Sequence, residues 1–140
     1  QMCREVLPHM KAESFGRIVN IASVTGKRPL PNRTPYATSK MGVIGFTRTL
    51  AAEVGEENIN VNAVCPGSVD GPRIKKVFEH QAAETGKSYE KVRANVEREA
   101  ARRELVQRED VADLVGYLCS EQSERITGQD INVSAGKVMY

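Results

Sequence analysis

Residues 59–67 read I-N-V-N-A-V-C-P-G, and residues 17–22 read R-I-V-N-I-A. Both runs are short, rich in β-branched residues and bounded by turn-forming residues, which is typical of strands. Neither shows the sustained polar alternation of a strand with one wet face. We therefore predict two strands that are covered on both sides, as in a parallel sheet.

The segments around these strands have helical periodicity or turn composition. The sequence predicts a helix ending near Ser14–Gly16, a strand over Arg17–Ala22, a loop over Lys27–Pro35, a helix over Tyr36–Val54, a strand over Ile59–Cys65, two polar helices between Arg73 and about Arg103 with a break near Thr85–Ser88, a helix over Asp110–Ser120 and a strand over Asp130–Ser134. Strands that alternate with helices in this way build a parallel sheet with helices on its faces. The predicted fold class is α/β.

Length and charge limit the possible classes of protein. The 140 residues suffice for one modest domain, and 40% hydrophobic with 27% charged residues is an ordinary globular composition. The net charge is only +2. Because non-specific binding to nucleic acid or an anionic membrane needs a concentrated positive charge, we expect neither as a partner. No apolar run reaches the length of a membrane span.

The three cysteines, Cys3, Cys65 and Cys119, form no C-x-x-C pair, and neither His9 nor His80 stands at ligand spacing to them. We therefore expect no metal site and no disulfide framework. The cysteines are predicted to be buried or partly buried thiols in a reducing compartment, which indicates the cytoplasm.

Three segments directly follow predicted strands: Ser23–Gly26, Pro66–Arg73 and Ser134–Gly136. In open parallel sheets, ligands bind beyond the carboxyl ends of the strands. The first two segments carry the polar side chains of interest, and we expect the ligand there.

Tyr36 and Lys40 stand four residues apart, which places both side chains on one face of a helix. A free tyrosine has a pKa of about 10, so proton transfer near neutrality needs stabilisation of the phenolate, and a nearby ammonium has the right sign for this. Ser23, just past a strand, could hydrogen-bond a substrate oxygen. Taken singly, each feature has a plainer interpretation: a core tyrosine, a surface lysine and a serine or Pro-Gly turn.

Four motifs stand in a fixed order: I-A-S-V-T-G, Y-A-T-S-K, N-V-N-A-V-C-P-G and I-T-G-Q-D-I-N-V-S-A-G. Together they resemble the short-chain dehydrogenases/reductases, including the interval of thirteen residues between Ser23 and Tyr36. The resemblance covers nearly all 140 residues. It implies a Rossmann-type doubly wound parallel sheet and an NAD- or NADP-dependent oxidoreductase that moves a hydride between a nicotinamide and a secondary alcohol or ketone.

The resemblance also implies roles for individual residues. Tyr36 would be the acid/base, Lys40 would lower its pKa and bind the nicotinamide ribose, and Ser23 would position the substrate oxygen. Three residues would line the nicotinamide: Pro66, Gly67 and Val69. Residues 73–103 would form a substrate lid. The helices over 1–14 and 36–54 would pack against another subunit in a homodimer or homotetramer.

The sequence departs from the family pattern in three respects. It has no glycine-rich dinucleotide fingerprint and no residue that would select NAD or NADP. Gly71 stands where the family has a threonine. The closing glycine pair of the family is replaced by Ala135-Gly136. We therefore expect residues 1–140 to be the C-terminal portion of one reductase domain, with a bare sheet edge and a bare apolar helix face. A non-catalytic scaffold, or an inactive fragment without its cofactor half, is the alternative. Arg73, and Arg28 with less weight, could favour an anionic substrate, although an arginine paired with a lid glutamate is the plainer interpretation.

Overall fold

The computed structural model describes residues 1–140. Its elements are α1 (Met2–Ala12), β1 (Gly16–Ile21), α2 (Thr34–Val54), β2 (Ile59–Pro66), α3 (Pro72–Thr85), α4 (Tyr89–Arg98), α5 (Arg108–Cys119) and β3 (Asp130–Val133), with 3₁₀ turns at Val24–Gly26, Gly55–Glu57 and Glu121–Ser123. The three strands form one parallel sheet in the order β1-β2-β3. The α/β prediction is confirmed.

Every predicted element is present, with small differences at its ends. Helix α2 begins at Thr34, inside the predicted loop, because Pro35 lies in its first turn. Proline is well tolerated there, since the first turn of a helix needs no N–H donor. The predicted break between the two polar helices is confirmed: α3 ends at Gly86, whose φ of 66° is left-handed, and Ser88 caps α4.

Strand β2 is the centre of the fold, and residues 59–65 are buried along its whole length. Ile59 and Val61 pack under α2 against Leu50, Ala51 and Val54. The asparagines on the strand hold the segment that leads into β3. Asn60 donates to the carbonyl oxygen of Glu124 at 2.8 Å, and Asn62 donates to that of Ile126 at 2.7 Å. Their amides are thus paired despite their burial.

Strand β1 is less covered than predicted. Its residues after Gly16 are half-buried, and Ile21 is 47% exposed. The prediction of a strand buried on both faces is wrong for β1 because it lies at the sheet edge with a strand on one side only. The expected bare edge and bare helix face are both present, the latter at Met41 and Phe46 of α2.

Helix α5 also differs from the prediction in its burial. Leu118 is buried, whereas the other three residues expected to point inward, Val111, Leu114 and Val115, are only half-buried. The helix lies over β1 and β2. Because β1 is the sheet edge, the sheet beneath α5 covers only part of its apolar face.

The cysteines are free and have three different environments. Cys65 is buried on β2, and burial raises the pKa of its thiol. Cys3 is half-buried, but Cys119 at the end of α5 is exposed, so the prediction of buried thiols is wrong for Cys119. No helix has both the length and the apolar character needed to cross a membrane.

Helices α3 and α4 have a small core of their own. Phe78, Val92 and Leu105 are buried together, and the rings of Phe78 and Tyr89 meet edge-on with centroids 5.9 Å apart. The remaining surface of the pair is largely exposed and charged. The predicted polar helices thus pack as one hairpin rather than as two separate solvated elements.

A buried ion pair joins the turn after β1 to the start of β3. The carboxylate of Asp130 lies 2.8 Å from Lys27 Nζ and 2.6 Å from Arg48 Nη2, and we call these three residues the Asp130 cluster. The side chains of Asp130 and Lys27 are 8% and 12% exposed. Burial alone would raise the pKa of Asp130, but hydrogen bonds from Lys27 and Arg48 outweigh it and hold the pKa below its ordinary range.

The lowered pKa of Asp130 predicts an acid-sensitive contribution to stability. A carboxyl with a folded pKa below its unfolded value of about 3.9 stabilises the fold above that pH, and the stabilisation is lost as the pH falls through the folded pKa. Asp130→Asn should therefore cost about 3 kcal/mol of unfolding free energy near neutrality, and less in acid. Urea unfolding at neutral and acidic pH measures this difference, and an equal cost at both would contradict it.

Candidate active site

A cavity of about 590 Å³ opens beyond the carboxyl ends of β1 and β2. The turn after β1, the start of α2, the segment after β2 and the first turns of α3 form its walls. The residues predicted from the motifs line it, and so does Arg73, which was predicted from its place near a strand end: Ser23, Tyr36, Lys40, Pro66, Gly67, Val69 and Arg73. The structure therefore brings these residues together in one place.

Ser23 lies at the start of the 3₁₀ turn that follows β1, and its side chain is buried at the cavity wall. Its Oγ accepts a hydrogen bond from the N–H of Thr25 at 3.2 Å. A hydroxyl can accept and donate at once, so this bond leaves the Ser23 proton available to a ligand oxygen. The turn thus orients Ser23 without consuming its donor.

Tyr36 and Lys40 lie on the first two turns of α2 and are both half-buried. Lys40 Nζ is 5.8 Å from the centre of the Tyr36 ring and donates to the carbonyl oxygen of Ile21 at 2.9 Å. The ammonium is therefore held between the end of β1 and the tyrosine. The geometry places a positive charge where it would stabilise negative charge on Tyr36.

Gly26 permits the close contact between the Ser23 turn and α2. A Cβ at Gly26 would lie 2.9 Å from the carbonyl carbon of Lys40 and 3.0 Å from the N of Met41. These are backbone atoms, which cannot move aside cheaply. The absence of a side chain at Gly26 thus sets the spacing between Ser23 and the helix that carries Tyr36 and Lys40.

Gly26→Ala is expected to move the turn away from α2. We expect a loss of about 1–3 kcal/mol in stability from the overlap, and a drop in turnover of more than about tenfold, since small displacements of reacting groups are costly. Gly42→Ala is the matched control, because nothing lies within 4 Å of a Cβ there. That variant should be as stable as the wild type or more so. Wild-type melting and turnover for Gly26→Ala would contradict the spacing argument.

The segment after β2 presents backbone groups to the cavity. The N–H of Asp70 donates to Val106 O and the N–H of Val106 donates to Ser68 O, as in a parallel bridge. This pairing leaves the N–H and C=O of Val69 without a protein partner. Gly67 packs against the backbone of Ser134, where a Cβ would lie 3.0 Å from its Cα. Gly67 thus serves packing within the protein as well as lining the cavity.

The third predicted segment is not part of the cavity wall. Ser134–Gly136 lies behind Gly67, and the nearest cavity residue from this region is Lys137. We expected the ligand at the first two of the three segments, and residues of those two segments line the cavity. Beyond that strand the chain turns back to pack on itself, with Val138 N–H donating to Ser134 Oγ at 3.2 Å.

The charged residues of the cavity wall are mostly basic. Six basic residues line it, against the two acidic residues Asp70 and Glu99: Arg28, Arg33, Lys40, Arg73, Arg108 and Lys137. Glu99 pairs with Lys137 at 3.0 Å and Arg28 at 3.3 Å. Burial alone would raise the pKa of Glu99, but Lys137 and then Arg28 hold it below the ordinary range. Arg73 and Arg33 have no carboxylate partner.

Sequence reasoning missed several residues of this wall. Arg33, Arg108 and Lys137 lie in loops or at a helix start far apart in the chain, and no local spacing connects them. The Asp130 cluster was missed for the same reason. Only Arg33 could have been predicted from its place in the sequence, because it stands three residues before Tyr36 at the start of the same helix.

Comparison with known proteins identifies the family. Residues 1–137 match the family model described as Enoyl-(Acyl carrier protein) reductase. The chain belongs to the short-chain dehydrogenase/reductase family. It is 40% identical over 134 residues to the 3-oxoacyl-(acyl-carrier-protein) reductase of Thermotoga maritima, an alignment that covers 96% of this chain and 50% of that protein.

Two further relatives give the same result. The chain is 35% identical to the D-beta-hydroxybutyrate dehydrogenase of Rhizobium meliloti, over 95% of this chain and 52% of the other. A crystal structure of actinorhodin polyketide ketoreductase with NADPH superposes with a TM-score of 0.88 at 38% identity, covering 94% of this chain and 50% of that one. The chain thus spans about half the length of these short-chain dehydrogenase/reductase relatives.

Proposed function

We propose that this short-chain dehydrogenase/reductase is an NAD(P)-dependent oxidoreductase that interconverts a secondary alcohol and a ketone. The observation that carries the proposal is the convergence of Ser23, Tyr36 and Lys40 on one cavity wall, with the Lys40 ammonium 5.8 Å from the Tyr36 ring. A non-catalytic scaffold has no use for a hydroxyl, a phenol and an ammonium held together in this way.

In the proposed reaction Tyr36 is the acid/base. In the direction of reduction its hydroxyl gives a proton to the carbonyl oxygen, and in oxidation it takes the proton from the alcohol. Ser23 donates a hydrogen bond to the same oxygen, and Lys40 stabilises the negative charge that Tyr36 carries after giving up its proton. Arg28 and Glu99, which pair with each other at the rim, stand outside these proton transfers.

The segment after β2 fits a nicotinamide. A carboxamide needs one acceptor and one donor from the protein, and Val69 offers both a free C=O and a free N–H at the cavity wall. Pro66 and Gly67 would line the ring, and Lys40 and Tyr36 would face the ribose. A bound nicotinamide supplies or accepts the hydride, and either NAD or NADP meets this requirement.

For the substrate we propose a ketone that carries an anionic group, with residues 73–103 as the lid over it. Arg73 lines the cavity at the start of α3 and has no carboxylate partner, so it is free to bind an anion. The relatives include reductases of 3-oxoacyl groups and a dehydrogenase of hydroxybutyrate, which places 3-oxo acids and their thioesters among the first compounds to test.

The test compares NADH- and NADPH-linked reduction of a carboxylate-bearing ketone and its neutral amide or ester. Arg73→Ala should raise KM about tenfold or more for the anionic ketone only, the cost of one charge-assisted hydrogen bond. Arg125→Ala, an exposed arginine outside the cavity, is the control. Equal effects of Arg73→Ala on both ketones would reject the anion site, and no reduction with either cofactor would reject the function.

We also propose that residues 1–140 form the C-terminal portion of one reductase domain that acts as a homodimer or homotetramer in the cytoplasm. The uncovered edge of β1 supports a sheet that continues outside these residues. The exposed Met41 and Phe46 on α2 support contact with another subunit. The three unpaired cysteines support a reducing compartment. Mass spectrometry of the intact protein and sedimentation test the first two, and a monomer of about 15 kDa would contradict both. Fractionation of cells tests the third, and recovery of the protein outside the cytoplasm would contradict it.

A further inference from the structure

The Asp130 cluster contacts the turn that carries Ser23 and the helix that carries Tyr36 and Lys40, but it does not line the cavity. Lys27 Nζ contacts three oxygens: Asp130 Oδ2 at 2.8 Å, Asp130 O at 3.0 Å and Asn132 Oδ1 at 3.1 Å. An ammonium has three N–H donors, so all of them are satisfied on β3. None of these atoms lines the cavity. The cluster therefore cannot serve the reaction by contact with a ligand.

Lys27 is part of the turn that carries Ser23. Its N–H donates to Val24 O at 3.0 Å, and the preceding Gly26 N–H donates to Ser23 O at 3.0 Å. On the sheet side, the turn is fixed by the N–H of Ala22, which donates to Val64 O at 2.8 Å. At the end of the turn, the side chain of Lys27 forms the one ion pair between the turn and the sheet. A shift of Asp130 would therefore move Lys27 and the turn with it.

The same carboxylate also contacts α2. Asp130 Oδ1 accepts from Arg48 Nε at 3.0 Å and from Arg48 Nη2 at 2.6 Å. Arg48 lies about two helical turns beyond Lys40 on the helix that also carries Tyr36. Asp130 is thus in direct contact with both elements that supply the three proposed reacting side chains. It begins β3, opposite Ala63 of the central strand, and is fixed there by the sheet.

We propose that Asp130 is a positioning residue, whose carboxylate fixes the Ser23 turn through Lys27 and helix α2 through Arg48 and so sets the geometry between Ser23 and Tyr36. The inference rests on the proposed function for its effect on turnover, but its structural part is independent of it. If it holds, loss of the Asp130 carboxylate lowers kcat, while the Val69 segment, which does not contact the cluster, keeps its geometry toward the nicotinamide.

The decisive variant is the double substitution Lys27→Met with Asp130→Leu, made in the full-length protein. Replacing both members of a buried ion pair by apolar side chains commonly preserves stability. The Arg48 charge that remains is 62% exposed and thus solvated. A structural role alone would then leave turnover intact. Asn62→Ala is the matched control, since it removes the buried hydrogen bonds of Asn62 to Ile126 O and from Gln129 N–H, which hold the segment before β3, and Asn62 does not contact the Ser23 turn.

Two readouts separate the outcomes. We expect the double variant to melt near the wild-type temperature, to exchange the amide hydrogens of residues 26–28 about tenfold faster, and to lose about tenfold or more in kcat with KM unchanged. If the double variant does not fold, Asp130→Asn is compared at neutral pH instead, with Asn62→Ala as the reference for the effect of lost stability alone. Wild-type exchange of residues 26–28 together with wild-type kcat would overturn the proposal, as would an equal loss of kcat in Asn62→Ala.

A wild-type protein that shows no turnover with NADH or NADPH would count against the proposed function and not against this inference. In that case the exchange of residues 26–28 still decides whether Asp130 holds the turn. Faster exchange in the double variant supports the positioning role, and unchanged exchange rejects it.

Discussion

Tyr36→Phe is expected to abolish turnover, with a loss of about 10³-fold or more in kcat, while folding and cofactor binding stay close to the wild type. The substitution removes one hydroxyl that has no hydrogen-bond partner within the protein, so little stability depends on it. General acid/base groups contribute about 10²–10⁴-fold to enzyme rates, and Tyr36 is the proposed proton donor. Steady-state kinetics, quenching of NADPH fluorescence and thermal melting measure the three quantities.

Tyr117→Phe is the matched control for this substitution. Tyr117 lies on α5 outside the cavity and donates only a long hydrogen bond, at 3.4 Å, to Gln122 O. Loss of its hydroxyl should leave kcat within about twofold of the wild type, because surface substitutions away from the site rarely have large effects. A Tyr36→Phe protein that turns over normally would show that the proton comes from another group, and the scaffold alternative would gain weight if the wild type were equally inactive.

Lys40→Met is expected to lower kcat by about 10²-fold. Lys40 Nζ lies 5.8 Å from the centre of the Tyr36 ring, and two unit charges about 6 Å apart interact by roughly 3 kcal/mol at an effective dielectric constant of about 20. That energy corresponds to about two orders of magnitude in rate. Methionine keeps most of the volume of the side chain, so the effect measured is the charge and the contact with Ile21 O.

The control for Lys40→Met is Lys76→Met, at an exposed lysine of α3 that does not line the cavity. Its kcat should be unchanged. Circular dichroism and thermal melting of Lys40→Met must show a folded protein for the comparison to count. Wild-type kcat in a folded Lys40→Met protein would mean that the ammonium has no part in the proton transfer.

Local sequence patterns were sufficient to predict the elements of the fold and, together with the family resemblance, part of the cavity wall. The buried run of β2, the wide apolar stripe of α2 and the break near Gly86 are local features, and each is present in the structure. The meeting of Ser23 with Tyr36 and Lys40 followed from strand ends and helical spacing, aided by the family resemblance. These predictions agree with the structure because each depends only on the pattern of a few neighbouring residues.

The features that could not be predicted depend on contacts between distant residues. The exposure of β1 depends on which strand occupies the sheet edge, and strand order is not a local property. The Asp130 cluster joins positions 27, 48 and 130, whose ion pairs have no fixed spacing in the chain. The packing of Gly67 against Ser134 likewise joins two turns that only the sheet brings together. Even Cys119 is exposed because of where α5 ends, not because of its residue type.

We propose that this protein transfers a hydride between a nicotinamide cofactor and a carbonyl carbon at the Ser23–Tyr36–Lys40 wall. The most direct test is reduction of a 3-oxoacyl thioester with NADPH or NADH that carries deuterium at both C4 positions, so that either face transfers the label, followed by mass spectrometry of the product. We expect a secondary alcohol with a single deuterium on the former carbonyl carbon, formed by the wild type and not by Tyr36→Phe. A product without deuterium, or no product with either labelled cofactor across 3-oxo acids, their thioesters and simple ketones, would contradict it.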